Sequence, residues 1–322
     1  MPENPRRRWF TAARSHTNYR PEPQRYPGLR PPAPLEDGDS FNTVVRAVAT
    51  AGLDLTAWIV LFHSSLANAH PELAVRPLGG PPQPGALCPS NPAVVEYAVA
   101  LAREIDERFA PAAFDLETIG WATLPHHHHA KLAVPLGPSG RYLLSLCFCN
   151  ACRELASPDL PGWATSRLEA ELRGTAPTVA VDELISGNPE LAAFQAARER
   201  TVVELVRAVA ETVSARVHVA HWGEPRQAAL GHAAVAAVAD RLVILDYGQG
   251  GQAPGATVDH AARLVGGDRI VAGLSVCAPE TPDEQTFRSV AAAAAALGID
   301  AISVYNHSLV DRVRLRWARA NA

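Results

Sequence analysis

The chain has 322 residues, 48% hydrophobic and 19% charged, with a formal net charge of −4. That length and apolar content support one large domain or two small ones, and they exclude an extended charged disordered chain and a strongly basic nucleic-acid surface. The N-terminus, MPENPRRRWFTAARSH, is basic but lacks the apolar run of about 7–15 residues that a signal peptide needs, and no stretch is long and apolar enough to span a bilayer. A cytoplasmic protein is therefore expected, with small-molecule partners and no nucleic acid or membrane.

In chain order, β-rich runs alternate with alanine-rich helical ones. WFTAARSH (9–16) is a weak strand, followed by a proline-rich connection, RPEPQRYPGLRPPAPLEDGD. FNTVVRAVATAG reads as a helix, LDLTAWIVLFH (53–63) as a strand, NPAVVEYAVALAREIDERF as a helix and AAFDLETIG (112–120) as a strand. A long stretch runs from Trp121 to about Pro189 with two short helical pieces, SRLEAELRG and AVDELISG. Beyond it come the helix ELAAFQAARERTVVELVRAVAETVSA, the strand RVHVAHWG (216–223), the helix GHAAVAAVAD and the strand RLVILDYG (241–248). The series ends with the helix ATVDHAARLVGG, the strand RIVAGLSVCAP (269–279), the helix DEQTFRSVAAAAAALG and the strand AISVYNHSLV (301–310).

Strand and helix alternating this often imply parallel strands joined by crossover helices. An open doubly wound sheet would gather its functional polar residues at one switch point. Here they recur at nearly every strand end: His16, His63, Glu117, His221, Asp246, Glu280, Asn306 and His307. That ring matches the C-terminal face of a (β/α)8 TIM-type barrel, and the barrel is the expected fold. Its first strand is absent or irregular, since residues 1–40 hold room for only one strand, and residues 41–322 form the barrel with an insertion at 121–189. An open barrel seam would be a sticky edge, so a homo-oligomer or a partner subunit is expected to cover it.

LSLCFCNAC carries Cys147, Cys149 and Cys152 in the spacing C-x-C-x2-C. In a reducing compartment such a cluster favours metal over disulfide. Three thiolates this close wrap a tetrahedral Zn2+ once a fourth ligand arrives, and Cys88 in ALCPSNP is the candidate; four thiolates close the shell, so the zinc is structural. Cys277, inside a strand, reads as a buried core thiol.

PHHHHAK (125–131) contains His128, His129 and Lys131. It reads as a substrate-facing loop, as a solvated polar stretch, or as a second metal site, and the sequence leaves these open. In AFDLETIG, strand alternation sends Asp115 and Glu117 to one side. A carboxylate at the mouth, walled by Trp121, has a raised pKa and suits a general acid. Glycoside cleavage needs a second carboxylate across the sugar, for which Glu280 and Asp246 are the candidates. Trp58, Trp121, Trp222, Tyr247 and Tyr305 are placed to stack on a sugar ring. The substrate-binding set is thus His16, His63, Trp121, His128, His129, Lys131, His221, Tyr247, Asn306 and His307.

ALCPSNPAVVEYAVALAREI, then a strand ending in glutamate, then CFCNACRE, resembles in order the zinc-bearing β-galactosidases of glycoside hydrolase family forty-two. AWIVLFH, HHHHAK and CFCNAC are also similar to segments of a set of uncharacterised bacterial barrel proteins. The galactosidase resemblance implies that Cys88, Cys147, Cys149 and Cys152 hold zinc beside the barrel mouth and that Glu117 takes the acid/base position. Those galactosidases carry Asn before that glutamate, where this chain has Leu116, and their nucleophile ends the seventh strand, where this chain reaches Glu280 only after a proline.

The expected function is a carbohydrate-active, glycoside hydrolase-like enzyme that cleaves or modifies a glycosylated small molecule. Two rivals stand beside it. One is a metal-dependent hydrolase or lyase using the mouth histidines, and the other a non-catalytic sugar-binding or scaffold barrel.

Overall fold

A computed structural model describes residues 15–34, 40–121, 136–221, 223–246, 255–277, 281–305 and 310–320. The chain divides into two compact units, one made of residues 14–216 with 224–231, the other of 1–13, 217–223 and 232–322. Of the expected weak strand at 9–16, only Ser15 and His16 fall among the described residues, and they lie outside regular structure.

The first unit contains α1 (Ser40–Thr50), β1 (Thr56–Val60), α2 (Leu66–Ala69), α3 (Pro92–Phe109) and β2 (Ala113–Glu117). Four shorter helices follow, α4 (Pro138–Ser145), α5 (Asn150–Leu155), α6 (Leu160–Leu172) and α7 (Val181–Ser186), before the long α8 (Pro189–Ala210). After β3 (Arg216–His221), α9 (Pro225–Ala228) returns to this unit. The second unit holds α10 (His232–Ala236), β4 (Arg241–Asp246), α11 (Ala256–Val265), β5 (Ile270–Ser275), α12 (Glu284–Ala296), β6 (Ile302–Tyr305) and α13 (Arg312–Ala320). All of the confidently expected strands form, each shorter than its apolar run. Cys277 differs from expectation: it lies beyond the end of β5 and is only half-buried, because the strand stops at Ser275.

Helix starts follow the caps written in the sequence. Asn91 accepts from the Ala93 amide at 3.1 Å with Pro92 in the first turn of α3, Asn188 repeats the device before Pro189, and Asp283 caps α12 through the Thr286 amide at 2.8 Å, each satisfying an amide that a helix leaves unpaired.

The pairings β1–β2, β3–β4, β4–β5 and β5–β6 are all parallel. In β1 burial alternates, with Ala57 and Ile59 buried and Trp58 and Val60 exposed. Trp58 stands opposite Asp115 and Val60 opposite Glu117. Period-2 alternation therefore puts Trp58, Val60, Asp115 and Glu117 on one sheet face, and Ala57, Ile59, Phe114 and Leu116 on the other, apolar one. In the second unit Ala220, Val243 and Val271 cluster with Leu245 and Ala301 on one face. Gly273 belongs to that face, and a Cβ on it would come 2.6 Å from Leu245 Cδ2.

The segment 15–34 is tied down by one residue of α3. Glu104, fully buried, accepts from the Glu22 amide at 2.8 Å, from Arg108 at 2.7 Å, from the Tyr19 hydroxyl at 3.3 Å and from the Tyr26 hydroxyl. Replacing Glu104 by alanine strands these donors in a site shielded from water. The variant is expected to lose about 3 kcal/mol or more of stability and to become open to trypsin after Arg25, the arginine of this segment that is not followed by proline, read by denaturant unfolding and timed proteolysis.

Candidate active site and four-cysteine centre

Glu117 closes β2, and only 8% of it is exposed. Its Oε2 accepts a hydrogen bond from the indole N–H of Trp58 at 2.8 Å. Burial pushes the Glu117 carboxyl above its ordinary value, and the Trp58 bond, which favours the charged form, opposes this in part. The next residue, Thr118, has φ of 54°. A β-branched side chain in the left-handed region is strained by about 1–3 kcal/mol, so the chain turns sharply as it leaves the carboxylate. The turn is held by the Phe62 amide, which donates to the Thr118 carbonyl at 3.2 Å, and by the Leu61 amide, which donates to the Glu117 carbonyl at 2.9 Å.

Two residues on, Gly120 meets the short α9 segment so closely that a Cβ on it would lie 2.0 Å from the Ala228 carbonyl oxygen. Trp121 follows, 1% exposed, with the guanidinium of Arg198 4.5 Å above its ring. Arg198 is itself fully buried and donates to Gln195 Oε1 at 2.8 Å and to the Gln227 carbonyl at 2.7 Å. The aromatic hydrogen-bond partner of Glu117 is Trp58 from the neighbouring strand, while Trp121, expected as a wall of the carboxyl, is buried with a cation over its face.

The four cysteines come together as the spacing predicts. Cys88 Sγ lies 3.4 Å from Cys152 Sγ, 3.5 Å from Cys149 Sγ and 3.8 Å from Cys147 Sγ. All four sulfurs lie within 4.8 Å of one another, all four residues are buried, and no other such grouping occurs among the described residues. A disulfide would need about 2.05 Å, whereas four thiolates about 2.3 Å from one central ion sit roughly 3.8 Å apart. The separations therefore fit one tetrahedral metal ion. Burial pushes the Cys88 thiol up, and its contacts with the other three add to this; four thiolates in so dry a place need a cation to be tolerable.

Local structure explains the convergence. Cys149 is the N-cap of α5 and Cys152 is its third residue, so the two face one way across the first turn. Cys147 pairs in an isolated bridge with Pro77 and accepts from the Arg76 amide at 3.3 Å. Cys88 donates its amide to the Leu73 carbonyl at 2.9 Å, just before α3. The neighbouring Leu87 amide donates to the Phe62 carbonyl at 2.9 Å, and Phe62 is the residue bonded to Thr118. Two backbone hydrogen bonds thus connect the Cys88 loop to the strained turn after Glu117.

In the second unit two expected site residues turn toward helices. Asp246 accepts from the amides of Thr257 at 2.9 Å and Val258 at 3.4 Å, so it serves the start of α11. Leu245 belongs to the opposite face, and alternation gives Asp246 the helix side. His221, 4% exposed, approaches His232 of α10 with Nδ1 to Nε2 at 3.1 Å and the rings edge to face. Its Nε2 has no hydrogen-bond partner among the described residues, which favours the tautomer with the proton on Nδ1, because a buried lone pair costs less than a buried N–H.

Burial pushes His221 down to about 3, helped by the charge of His232, and pushes His232 down to about 4, helped by His260. Folding therefore favours the neutral rings. Their contribution is complete above about pH 6.5, the value for an unfolded histidine, and is lost as the pH falls from there toward 4 and then 3, because the unfolded chain binds protons that the folded chain refuses. Unfolding free energy is expected to fall between pH 6.5 and 4 by up to about 1.4 kcal/mol per pH unit per histidine. A His221→Gln, His232→Gln double variant should flatten that slope in a denaturant series across pH.

Of the other expected site residues, His16 and His63 are exposed, His63 in a bridge with Ala86, and Tyr305 ends β6 half-buried. His128, His129, Lys131, Trp222, Tyr247, Glu280, Asn306 and His307 lie outside the described residues. Sequence reasoning missed three features: the Trp58–Glu117 bond, the His221–His232 pair and the buried Arg198. Only the first had a legible signal, an exposed-parity tryptophan one strand away from the glutamate.

No helix among the described residues is long and apolar enough to cross a membrane. No protein-family model and no curated protein matches the chain. Solved structures do. The glycoside hydrolase domain of PgaB (BpsB) from Bordetella bronchiseptica superposes with a TM-score of 0.55 at 16% identity, over 87% of this chain and 78% of that one. The catalytic domain of β-amylase from Paenibacillus polymyxa gives 0.53 at 12% identity, over 84% and 80%. The β-galactosidase of the psychrophilic Marinomonas ef1 gives 0.53 at 11% identity, over 83% of this chain but 46% of that protein, so the chain spans less than half of it. At these identities the likeness is one of architecture: the chain has an α/β fold with parallel strands that is glycoside hydrolase-like.

Proposed function

We propose that the chain is a carbohydrate-active enzyme acting on glycosidic bonds, with Glu117 as acid/base and a structural Zn2+ held by Cys88, Cys147, Cys149 and Cys152. The observation that carries this reading is Glu117 itself, a largely buried carboxyl at a strand's C-terminal end with its proton affinity raised, as a group that must donate a proton at neutral pH requires. The exposed ring of Trp58 on the same face suits a sugar. The fold of the neighbours supports the reaction class, and the order of the cysteine segments supports the resemblance to the family forty-two galactosidases.

In this reading Glu117 protonates the leaving glycosidic oxygen. Asp246 is occupied at α11, so Glu280 becomes the second carboxylate; a separation of about 5–5.5 Å from Glu117 would give retention and about 6.5–9.5 Å inversion. The architecture in this reading is a (β/α)8 TIM-type barrel whose first strand is absent or irregular, with the insertion at 121–189 carrying three zinc ligands and with another subunit over the seam. The metal, when bound, supplies no chemistry to the substrate. It cross-links the loop before α3 to the start of α5 and so fixes the strand end beside Glu117.

The test is a panel of aryl glycosides and oligosaccharides assayed with the wild type and with Glu117→Gln. Turnover that depends on Glu117 supports the reading. Turnover that survives the substitution, or wild-type binding of sugars without turnover of any, sinks it and leaves the metal-dependent or the non-catalytic alternative.

A further inference from the structure

Trp58 is the one residue whose side chain contacts the Glu117 carboxylate through a hydrogen bond given above, yet it is 55% exposed. An indole that serves only packing hides its ring; this one stays more than half exposed and directs its single donor at a buried acid. The register makes the arrangement specific. Trp58 stands opposite Asp115 and diagonal to Glu117 on the same sheet face, within reach for a long aromatic side chain. Glu117 is held on its other flank by the strained Thr118 turn, so its backbone has little freedom to compensate.

We propose that Trp58 is the positioning residue of Glu117: its N–H occupies Oε2, so the acid proton resides on Oε1, and the carboxyl is held in one orientation by the indole. The inference rests on the proposed role of Glu117, but its physical core, the coupling between indole and carboxyl, stands whether or not the chain turns over a glycoside. A donor on Oε2 makes that oxygen the poorer site for a proton, and the bond lowers the proton affinity that burial raises. Fixing which oxygen carries the proton, and its direction, is the element of general-acid catalysis that geometry supplies.

The experiment uses the full chain with its metal. The carboxyl of Glu117 is followed by 13C NMR across pH, identified as the signal missing from Glu117→Gln. In Trp58→Phe, which keeps a ring and removes the N–H, the proton affinity of Glu117 is expected to rise roughly three- to tenfold, the amount by which the bond to the charged carboxylate exceeds the bond to the neutral acid. With a turned-over substrate, the alkaline limb of the rate profile should move up with it and kcat should fall more than KM rises. In the wild type, tryptophan fluorescence should have a pH-dependent component that titrates together with Glu117 and vanishes in Glu117→Gln, a readout that needs no folded Trp58 variant. An unchanged Glu117 titration in a folded Trp58→Phe, or the absence of that component in the wild type, overturns the proposal. If both signals behave as expected while Glu117→Gln keeps full activity, the positioning contact stands and the functional reading above has failed.

Discussion

Glu117→Gln is expected to reduce glycoside turnover by about 10²–10⁴-fold without loss of metal and without loss of stability. Glutamine is isosteric, and its carbonyl oxygen can still accept from the Trp58 indole, so packing and the hydrogen bond both persist. What disappears is a group that can give up a proton and take it back. Stability follows from the direction of the Glu117 shift. A carboxyl whose proton affinity is raised by folding favours the native state when protonated, and that advantage is lost as the pH rises from the unfolded value through the folded one. Above the unfolded value the native state therefore bears the cost of holding this carboxyl in a buried place, a cost that glutamine does not carry, and the glutamine variant should unfold at the same temperature or a higher one. Calorimetry at pH 7.5, alongside kcat and KM, checks both halves; a variant that is both inactive and destabilised would point to a structural Glu117.

Cys149→Ser is expected to abolish or greatly weaken binding of one metal ion per chain and to destabilise the first unit by about 3–5 kcal/mol, the usual cost of removing one member of a buried charged group. Cys149 lies 3.5 Å from Cys88 and caps α5, so its loss opens the tetrahedron and leaves three buried thiols that repel when ionised. A serine can still cap a helix, which isolates the metal term from the capping term. Cys277→Ser serves as the control, since Cys277 stands apart from the cluster among the described residues and its replacement should leave metal content unchanged. Elemental analysis of the two variants, with unfolding followed in the presence and absence of a chelator, separates them. Acidification should release the ion from the wild type, because protons compete for the thiolates.

The alternation of apolar runs gave the elements and their type, because period-2 and period-3.6 patterns are local properties of the chain. Asn91, Asn188 and Asp283 stand where caps belong, and each helix starts there. The cysteines were equally legible: C-x-C-x2-C constrains three sulfurs to one neighbourhood by covalent distance alone. Which fourth thiol joins them is a long-range question, yet only two cysteines remained, and only Cys88 sat in a loop.

Side-chain direction at strand ends was not legible. Glu117, Asp246 and His221 all read as residues at strand ends, but one step of parity separates a group on the Trp58 face from one that reaches a helix. Asp246 falls one residue past Leu245 and so meets the amides of α11. His221 falls on the side of α10 and finds His232, eleven residues away in sequence and invisible as a partner until the loop between them folds back.

By itself, then, the sequence determined the α/β alternation, the capped starts of α3, α8 and α12 and the four-thiol cluster, because each is written in local spacing, capping chemistry or the reach of a short loop. Only the tertiary structure decided that Trp58 bonds Glu117, that a buried arginine covers Trp121, that Asp246 meets the amides of α11 and that His221 meets His232. Those outcomes depend on strand register and on which face each side chain is given when distant segments pack, and no local pattern carries that information.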